Sequence, residues 1–524
     1  MELRSIHLNN WLIVSYAVLF VILSCYLLDP QIYSLGDDIS QYIQHARNIR
    51  LGYPYSALPY PFNPLSQIGP PAYPPVYPLL ISPFTYGVFP QIIWMKSLSV
   101  FLFGLSILIL YKIFSLFKAP TLTLEALLVF SFLPWIFHDA GYLGSDTPYG
   151  FFSFLVLWSL IALPDDRPAW SASILTGFLM ALATLTRDTG IALWVSSLIY
   201  LSHKIWNNQR SRFFLITQMG FISLAFLLPL ISWKLYQDYL GLGPDNAIYF
   251  KTALGWDHLT ILEVVRRMIS NFFYYLIKGY ELLFPLSHII LPYPYLNWLR
   301  FPLAALILIP LGWQIIKGFR SPQLPIVLYL GCYLSIFLIL EFHISRNGSR
   351  MLIPLAPFLV YFTLKGFQEL FFKRQQGLIP LSFHLLVVVW IGLNFFGTFS
   401  FYSTLRDPKS LAFSPEGPKY QAMIAYIQRE IPSNDRIAYI KPRYLSLYTN
   451  HPTVIPPYMG PPSLIGPPAE ILGYLSHWQV RHVLLDDHFV TEETSLRKTM
   501  AQFPNYFSPR FSLPPLTLYQ FKTP

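Results

Sequence analysis

The sequence predicts an all-α polytopic membrane protein of about eleven transmembrane helices, with a small extramembrane α/β domain at its C-terminal end. Three observations predict it. Hydrophobic residues fill 54% of the 524 positions and charged residues only 12%, against about 25% charged in soluble domains. Apolar runs of spanning length recur along the first three quarters of the chain. Basic residues collect in every second loop between those runs, as the positive-inside rule requires of a polytopic protein.

Taken in order, the apolar runs fall near residues 11–29, 93–111, 122–137, 148–163, 171–186, 189–202, 213–236, 301–316, 324–341, 351–364 and 379–401. The first follows Arg4 without a small-x-small cleavage pattern and reads as a retained helix. Runs 171–186 and 189–202 are short for a bilayer core of roughly 30 Å. They flank Arg187-Asp188 and read as a hairpin turning inside protein. With the N-terminus cytoplasmic, the inner loops hold Lys112 and Lys118, Arg167, Lys204 to Arg212, Lys317 and Arg320, and Lys365 to Arg374. The formal net charge of +10 therefore reports topology and does not call for a nucleic-acid partner. Aromatic residues, 17% of the chain, suit the two membrane–water interfaces. Cys25 and Cys332 both sit in apolar runs and read as packing residues.

This parity places three long segments outside: a first loop of about 30–92, residues 237–300, and the tail 402–524. The domain division expected is thus 1–401, membrane-embedded, and 402–524, periplasmic or luminal. The middle segment carries Arg266-Arg267 and Phe272–Tyr275, a mixture that fits an amphipathic helix along the interface or a re-entrant piece. In the tail, Asp435–Ile440 and Val480–Leu485 read as strands, and Lys419–Arg429 and Glu470–Leu475 as helices. The Pro- and Gly-rich stretch Pro456–Pro468 separates them.

The first loop carries the chemistry. Asp37 and Asp38 stand together beyond the first apolar run, in a chain poor in charge. Ile39, Tyr42, Ile43 and Ala46 then recur at helical spacing and predict a helix on the membrane surface. An acid at its N-terminus is either a cap that favours the helix dipole or a general base held at the bilayer surface. Further on, Tyr73-Pro74-Pro75-Val76-Tyr77-Pro78-Leu79-Leu80 starts as a rigid Pro-rich spacer and becomes apolar.

The order of these pieces resembles the first outer loop of the GT-C glycosyltransferases. More narrowly it resembles the protein O-mannosyltransferase and lipid A aminoarabinose transferase group, whose donors are polyprenyl-phosphate sugars. Three later stretches are similar in the same order: Gly144-Ser145-Asp146-Thr147-Pro148, Ile174 to Gly190 ending Leu185-Thr186-Arg187-Asp188-Thr189-Gly190, and Ser349-Arg350-Met351-Leu352-Ile353-Pro354-Leu355-Ala356-Pro357. The resemblance implies a GT-C-like fold for residues 10–400. It also implies that Asp38, four residues before Tyr42, is the catalytic base, with Asp37 as second choice. Tyr73 stands where several relatives carry Lys or His, and Met351 where Tyr is usual.

Arg350, with Arg187 and Arg346, supplies the cations expected to meet a donor phosphate; Arg187 pairing with Asp188 is the structural alternative. Tyr42, Tyr73, Tyr77 and Asp146 are the remaining substrate-site candidates. Asp139 and Asp146 share a short loop, where two acids are either solvated or oxygen ligands for a divalent metal. No cofactor is obligatory, because a lipid phosphate is already a tolerable leaving group. The chain carries no P-loop, no Gly-x-Gly-x-x-Gly and no His/Cys cluster at metal-ligand spacing. Pro442–Thr449 resembles a segment of bacterial outer domains, with folding or lid formation as its expected role.

The function expected is transfer of a sugar from a polyprenyl-phosphate donor to a hydroxyl of a lipid, glycan or protein acceptor. The site would lie on the outer face of the bacterial inner (plasma) membrane. A lipid or sugar transporter or flippase is the alternative, and it calls for an internal repeat that the sequence lacks. A non-catalytic assembly protein is a third.

Overall fold

The computed structural model describes residues 2–28, 37–58, 72–86, 91–208, 211–242, 259–284, 300–340, 348–372, 381–405, 417–456, 467–490 and 493–523. The chain divides into two compact units. One comprises residues 1–28, 96–235 and 254–404; the other comprises 29–95, 236–253 and 405–524.

The first unit is helical. Each of the eleven apolar runs coincides with a helix among the described residues. Among the described residues three helices are long and apolar enough to cross a membrane: Ile92–Ser115, Arg212–Tyr239 and the Leu381–Phe399 part of Leu381–Leu405. The run at 122–137 is broken, with Pro120–Ser131 and Pro134–Ala140 meeting at a bend of 72°. Pro134 begins the second piece, where its ring cannot continue the preceding helix. Trp11–Leu27, Trp170–Thr184, Ala304–Gly318 and Leu324–Ile339 are shorter apolar helices. Between Trp170–Thr184 and Ile191–Asn207 a 3₁₀ turn, Asp188–Gly190, makes the hairpin foreseen around Arg187.

Small residues set the helix spacing. A Cβ at Gly366, in the helix Ala356–Phe371, would collide with the Pro310 carbonyl of the helix Arg300–Gly318. These two helices approach backbone to backbone, as small residues allow in membrane bundles. The amphipathic segment is the helix Ile261–Leu283, opened by a capping box between Thr260 and Glu263. Its Ile261, Val265, Ile269, Phe272 and Phe273 are exposed. On its other face buried Asn271 donates to the carbonyls of Phe337, Leu338 and Leu340. These are end carbonyls of the helix Leu324–Ile339, which the helix itself leaves without partners.

The second unit holds a five-stranded sheet and the helices of the first loop. Strands β1 (Arg436–Ala438), β2 (Thr453–Val454), β3 (Val480–Asp486), β4 (Phe507–Leu513) and β5 (Leu516–Phe521) lie in the order β2-β1-β3-β5-β4. β1 pairs parallel with β2 and β3, whereas β5 runs antiparallel to β3 and β4. β3 is buried at every position but Arg481, which suits a strand covered on both faces. The helices Pro418–Glu430 and Pro468–His477 occupy the places foreseen for helices. Ile471, Leu472 and Leu475 join Val480, Val483, Leu485 and Phe521 in the core. The strands foreseen at 435–440 and 480–485 shorten to β1 and extend to β3. The β4–β5 hairpin was not foreseen. Pro509 and Pro514-Pro515 interrupt its pattern, and Pro509 is tolerated because β4 is an edge strand.

Candidate functional site

In the second unit, Asp37–Leu51 forms one helix. It ends where Gly52 takes a φ of +71°, a left-handed conformation that glycine adopts at no steric cost. Ile39, Tyr42, Ile43 and Ala46 are buried, as their spacing predicts. Burial does not stop at that face, however. Ser40, Gln41, His45 and Asn48 are buried too, so this is an enclosed helix and not one resting by a single apolar face on a membrane surface. The physical reason is the turn that follows it. His45 Nδ1 lies 2.8 Å from the Tyr55 carbonyl, and Asn48 donates to the carbonyls of Tyr55 and Ala57 at 3.1 and 2.9 Å. The polar side chains thus replace water around the loop backbone.

Asp38 stands at the open end of this helix with its side chain 51% exposed. The Tyr73 hydroxyl donates to Asp38 Oδ1 at 2.6 Å. Tyr42 carries the cluster inward, its ring centroid 4.9 Å from that of Tyr73 and 5.0 Å from that of Tyr77. Tyr73 is fixed from behind, its carbonyl accepting from the Tyr55 hydroxyl at 2.8 Å. Pro74-Pro75 stop any helix from starting earlier, and Val76–Ile81 begins directly after them. Four candidates foreseen from sequence, Asp38, Tyr42, Tyr73 and Tyr77, therefore come together. Asp37 is the first residue of the helix.

One member of this cluster was missed. Arg443 Nη1 lies 3.3 Å from Asp38 Oδ1 and 3.4 Å from the Tyr73 hydroxyl. It belongs to the helix Pro442–Thr449, all eight residues of which are buried. Pro442 opens that helix with a φ suited to its first turn, and Asn450 closes it at φ +60°. Arg47 ties the two helices together by donating to the Leu447 carbonyl at 3.1 Å. The family-like look of residues 442–449 was the one available signal.

In the first unit, Asp146 opens the helix Asp146–Ala162 and is 1% exposed. Arg187 Nη1 bonds its Oδ1, and Arg350 Nε lies 2.5 Å from its Oδ2. The ion pair recorded for Arg187 is thus with Asp146, 41 positions earlier in the chain. Met351 Sδ lies 3.1 Å from Arg187 Nη2, and the Arg350 guanidinium sits over the Tyr142 ring at 5.5 Å. A Cβ at Gly144 would come within 3.1 Å of Arg350 Nη2, so glycine there admits the arginine. Asp139 is buried as well and accepts from Thr147 at 3.3 Å. Neither acid is solvated, which corrects that expectation. Among the described residues no group of three or more His, Cys, Asp and Glu is arranged to hold a metal. Arg346 lies outside the described residues.

No family model matches the chain, and no curated protein matches it in sequence. Solved structures do match. ArnT from Cupriavidus metallidurans, bound to undecaprenyl phosphate, superposes with a TM-score of 0.54 at 13% identity, over 97% of each chain. The oligosaccharyltransferase of Archaeoglobus fulgidus, tethered to an acceptor peptide containing the NVT sequon, gives 0.52 at 10% identity. That match covers 98% of this chain and 74% of the other. Both proteins are GT-C fold membrane glycosyltransferases. The chain has the GT-C fold. With its apolar helices, that fold marks an integral membrane protein.

Proposed function

We propose that this GT-C protein is a membrane glycosyltransferase that moves a sugar from a polyprenyl-phosphate donor to a hydroxyl acceptor. The observation that carries the reading is Asp38: a half-exposed carboxylate with one oxygen held by a phenol and a guanidinium. Such a group suits a general base, because its geometry is set while it stays open to an incoming hydroxyl. In the reaction the acceptor oxygen attacks the anomeric carbon and its proton passes to Asp38. The bond from that carbon to the phosphate oxygen breaks, and the lipid phosphate departs with the electron pair. A single displacement inverts the anomeric centre. Asp37 is the second choice for the base.

Arg350 and Arg187 are proposed to stabilise the departing phosphate, since guanidinium groups meet phosphate oxygens bidentately. Asp146 fixes both arginines in the meantime. The binding of undecaprenyl phosphate by ArnT, which has the same fold, favours a donor of that class. The acceptor would be a lipid, a glycan or a protein. The reaction face would be the outer side of a bacterial inner membrane.

The test uses purified full-length protein in lipid nanodiscs with radiolabelled undecaprenyl-phosphate mannose and undecaprenyl-phosphate aminoarabinose, each offered with a lipid A and a Ser/Thr-containing peptide as hydroxyl acceptors. Release of undecaprenyl phosphate is the readout. Loss of a general base costs about 100- to 10,000-fold in rate, so Asp38→Asn should fall by that factor while folding normally. Wild-type turnover by both Asp38→Asn and Asp37→Asn would end the mechanism. Equal turnover of a soluble nucleotide sugar in lipid-depleted detergent would end the donor assignment.

A further inference from the structure

Arg443 carries a role beyond packing. It is among the largest fully buried side chains of the protein, 2% exposed as a residue and 1% as a side chain. Burying a guanidinium is costly unless charge and hydrogen bonds offset it. The carboxylate that faces it is Asp38, and the same nitrogen reaches the Tyr73 hydroxyl. Its guanidinium carbon sits 5.7 Å from the Tyr73 ring centroid. The contacts recorded at Asp38 from Tyr73 and Arg443 both fall on Oδ1. Two donors on Oδ1 restrain the carboxyl group while its side chain stays half-exposed, and neither of them occupies Oδ2.

From this geometry we infer that Arg443 is a positioning residue of the reaction, supplied by the C-terminal segment, and that Oδ2 of Asp38 is the atom that takes the acceptor proton. The inference rests on the proposed base role of Asp38. It gives the segment around Pro442–Thr449 a direct part in catalysis, because the catalytic carboxylate is not held until that helix is in place. Arg443 acts through Asp38 and Tyr73, so its loss should slow the chemical step and leave donor binding alone. An arrangement held 1 Å too loosely is known to cost orders of magnitude in rate.

The experiment compares full-length wild type, Arg443→Ala, Arg443→Lys, Tyr73→Phe, Arg47→Ala and Asp38→Asn in nanodiscs, with the undecaprenyl-phosphate sugar that the wild type turns over. Each variant is scored at its measured folded fraction. Arg443→Ala should lose about 100-fold in kcat with the donor KM within twofold, and added guanidinium ion should restore part of that loss. Arg443→Lys should be intermediate, keeping the charge without the fork. Arg47→Ala, which loses a tie between the same two helices, should keep wild-type kcat and resist guanidinium effects. Unchanged kcat in Arg443→Ala, beside an inactive Asp38→Asn, overturns this inference alone. A raised donor KM with unchanged kcat also overturns it and makes Arg443 a donor ligand. Activity in Asp38→Asn, or no turnover by the wild type, overturns the functional reading and this inference with it.

Discussion

His45 makes the first-loop helix sensitive to acid. Its ring is fully buried, with Nδ1 donating to the Tyr55 carbonyl at 2.8 Å and Nε2 lying 3.1 Å from the Gln41 amide nitrogen. The ring also stacks on that of Tyr55, with centroids 4.2 Å apart. Nε2 facing an N–H donor must accept, so the ring is neutral with its proton on Nδ1. Burial, countered by the Tyr55 bond and assisted by the Arg443 charge, pushes its pKa down from 6.5 to about 3. A depressed histidine contributes stability that is complete above pH 6.5 and is lost as pH falls toward the folded value. With those two pKa values, linkage gives a loss of roughly 2.5–3 kcal/mol at pH 4.5. That corresponds to about a hundredfold fall in amide protection for an opening that exposes His45. Hydrogen exchange over residues 37–58, corrected for intrinsic rates, should show this fall between about pH 8 and pH 4.5 in the wild type. His45→Gln keeps a donor and an acceptor but no titrating group, and should remove most of it. An identical pH response in the two proteins would refute the reasoning.

Asp146→Asn should destabilise the helical unit by about 3 kcal/mol, since it leaves two partly buried guanidiniums without their carboxylate. Thermal unfolding in detergent reads this, and adding Arg187→Gln with Arg350→Gln should recover most of the loss; an Asp146→Asn protein as stable as wild type would show the pairing to be wrong. In the sheet domain, burial raises Glu493 from 4.5 to about 7, with Arg497 and the Asp486 amide pulling the other way. A raised carboxyl stabilises below pH 4.5 and loses that contribution as pH climbs through 7, so Glu493→Gln should gain on wild type by roughly 2–3 kcal/mol from pH 5 to pH 8. Parallel melting curves at the two pH values would count against it. Finally, single cysteines introduced at Trp206 and Arg510 should react with an impermeant reagent from opposite sides of the membrane; labelling from one side would overturn the proposed topology.

What was legible in the sequence is what repeats locally. Helix-period apolar residues announced Asp37–Leu51, and every apolar run became helix. Tyr73 and Tyr77 were singled out by their place beside Pro74-Pro75, and their rings do meet Tyr42. Pairings between distant polar groups leave no such trace. Arg187 has an acid beside it in sequence, yet its partner is Asp146, 41 positions earlier. Arg443 stands in a stretch read as serving folding or lid formation. The burial of His45 and Asn48 was not foreseen, because their partners, the carbonyls of a turn, carry no sequence signal. The β4–β5 hairpin was hidden by prolines that an edge strand tolerates.

The 405 positions between Asp38 and Arg443 have a consequence for biogenesis. At about 5–20 residues per second, the ribosome reaches Arg443 roughly 20 to 80 seconds after Asp38 has been made. For that interval the nascent chain passes helix after helix to the insertion machinery while the first-loop helix waits without its guanidinium. The sheet that carries Pro442–Thr449 is itself incomplete until β5, at Leu516–Phe521, has been released. Nascent protein therefore cannot hold Asp38 in its final setting before β5 has emerged. On the proposed function, a chain cut short within the sheet domain should reach the membrane with Asp38 lacking its Arg443 contact, and should turn over far more slowly than the full chain.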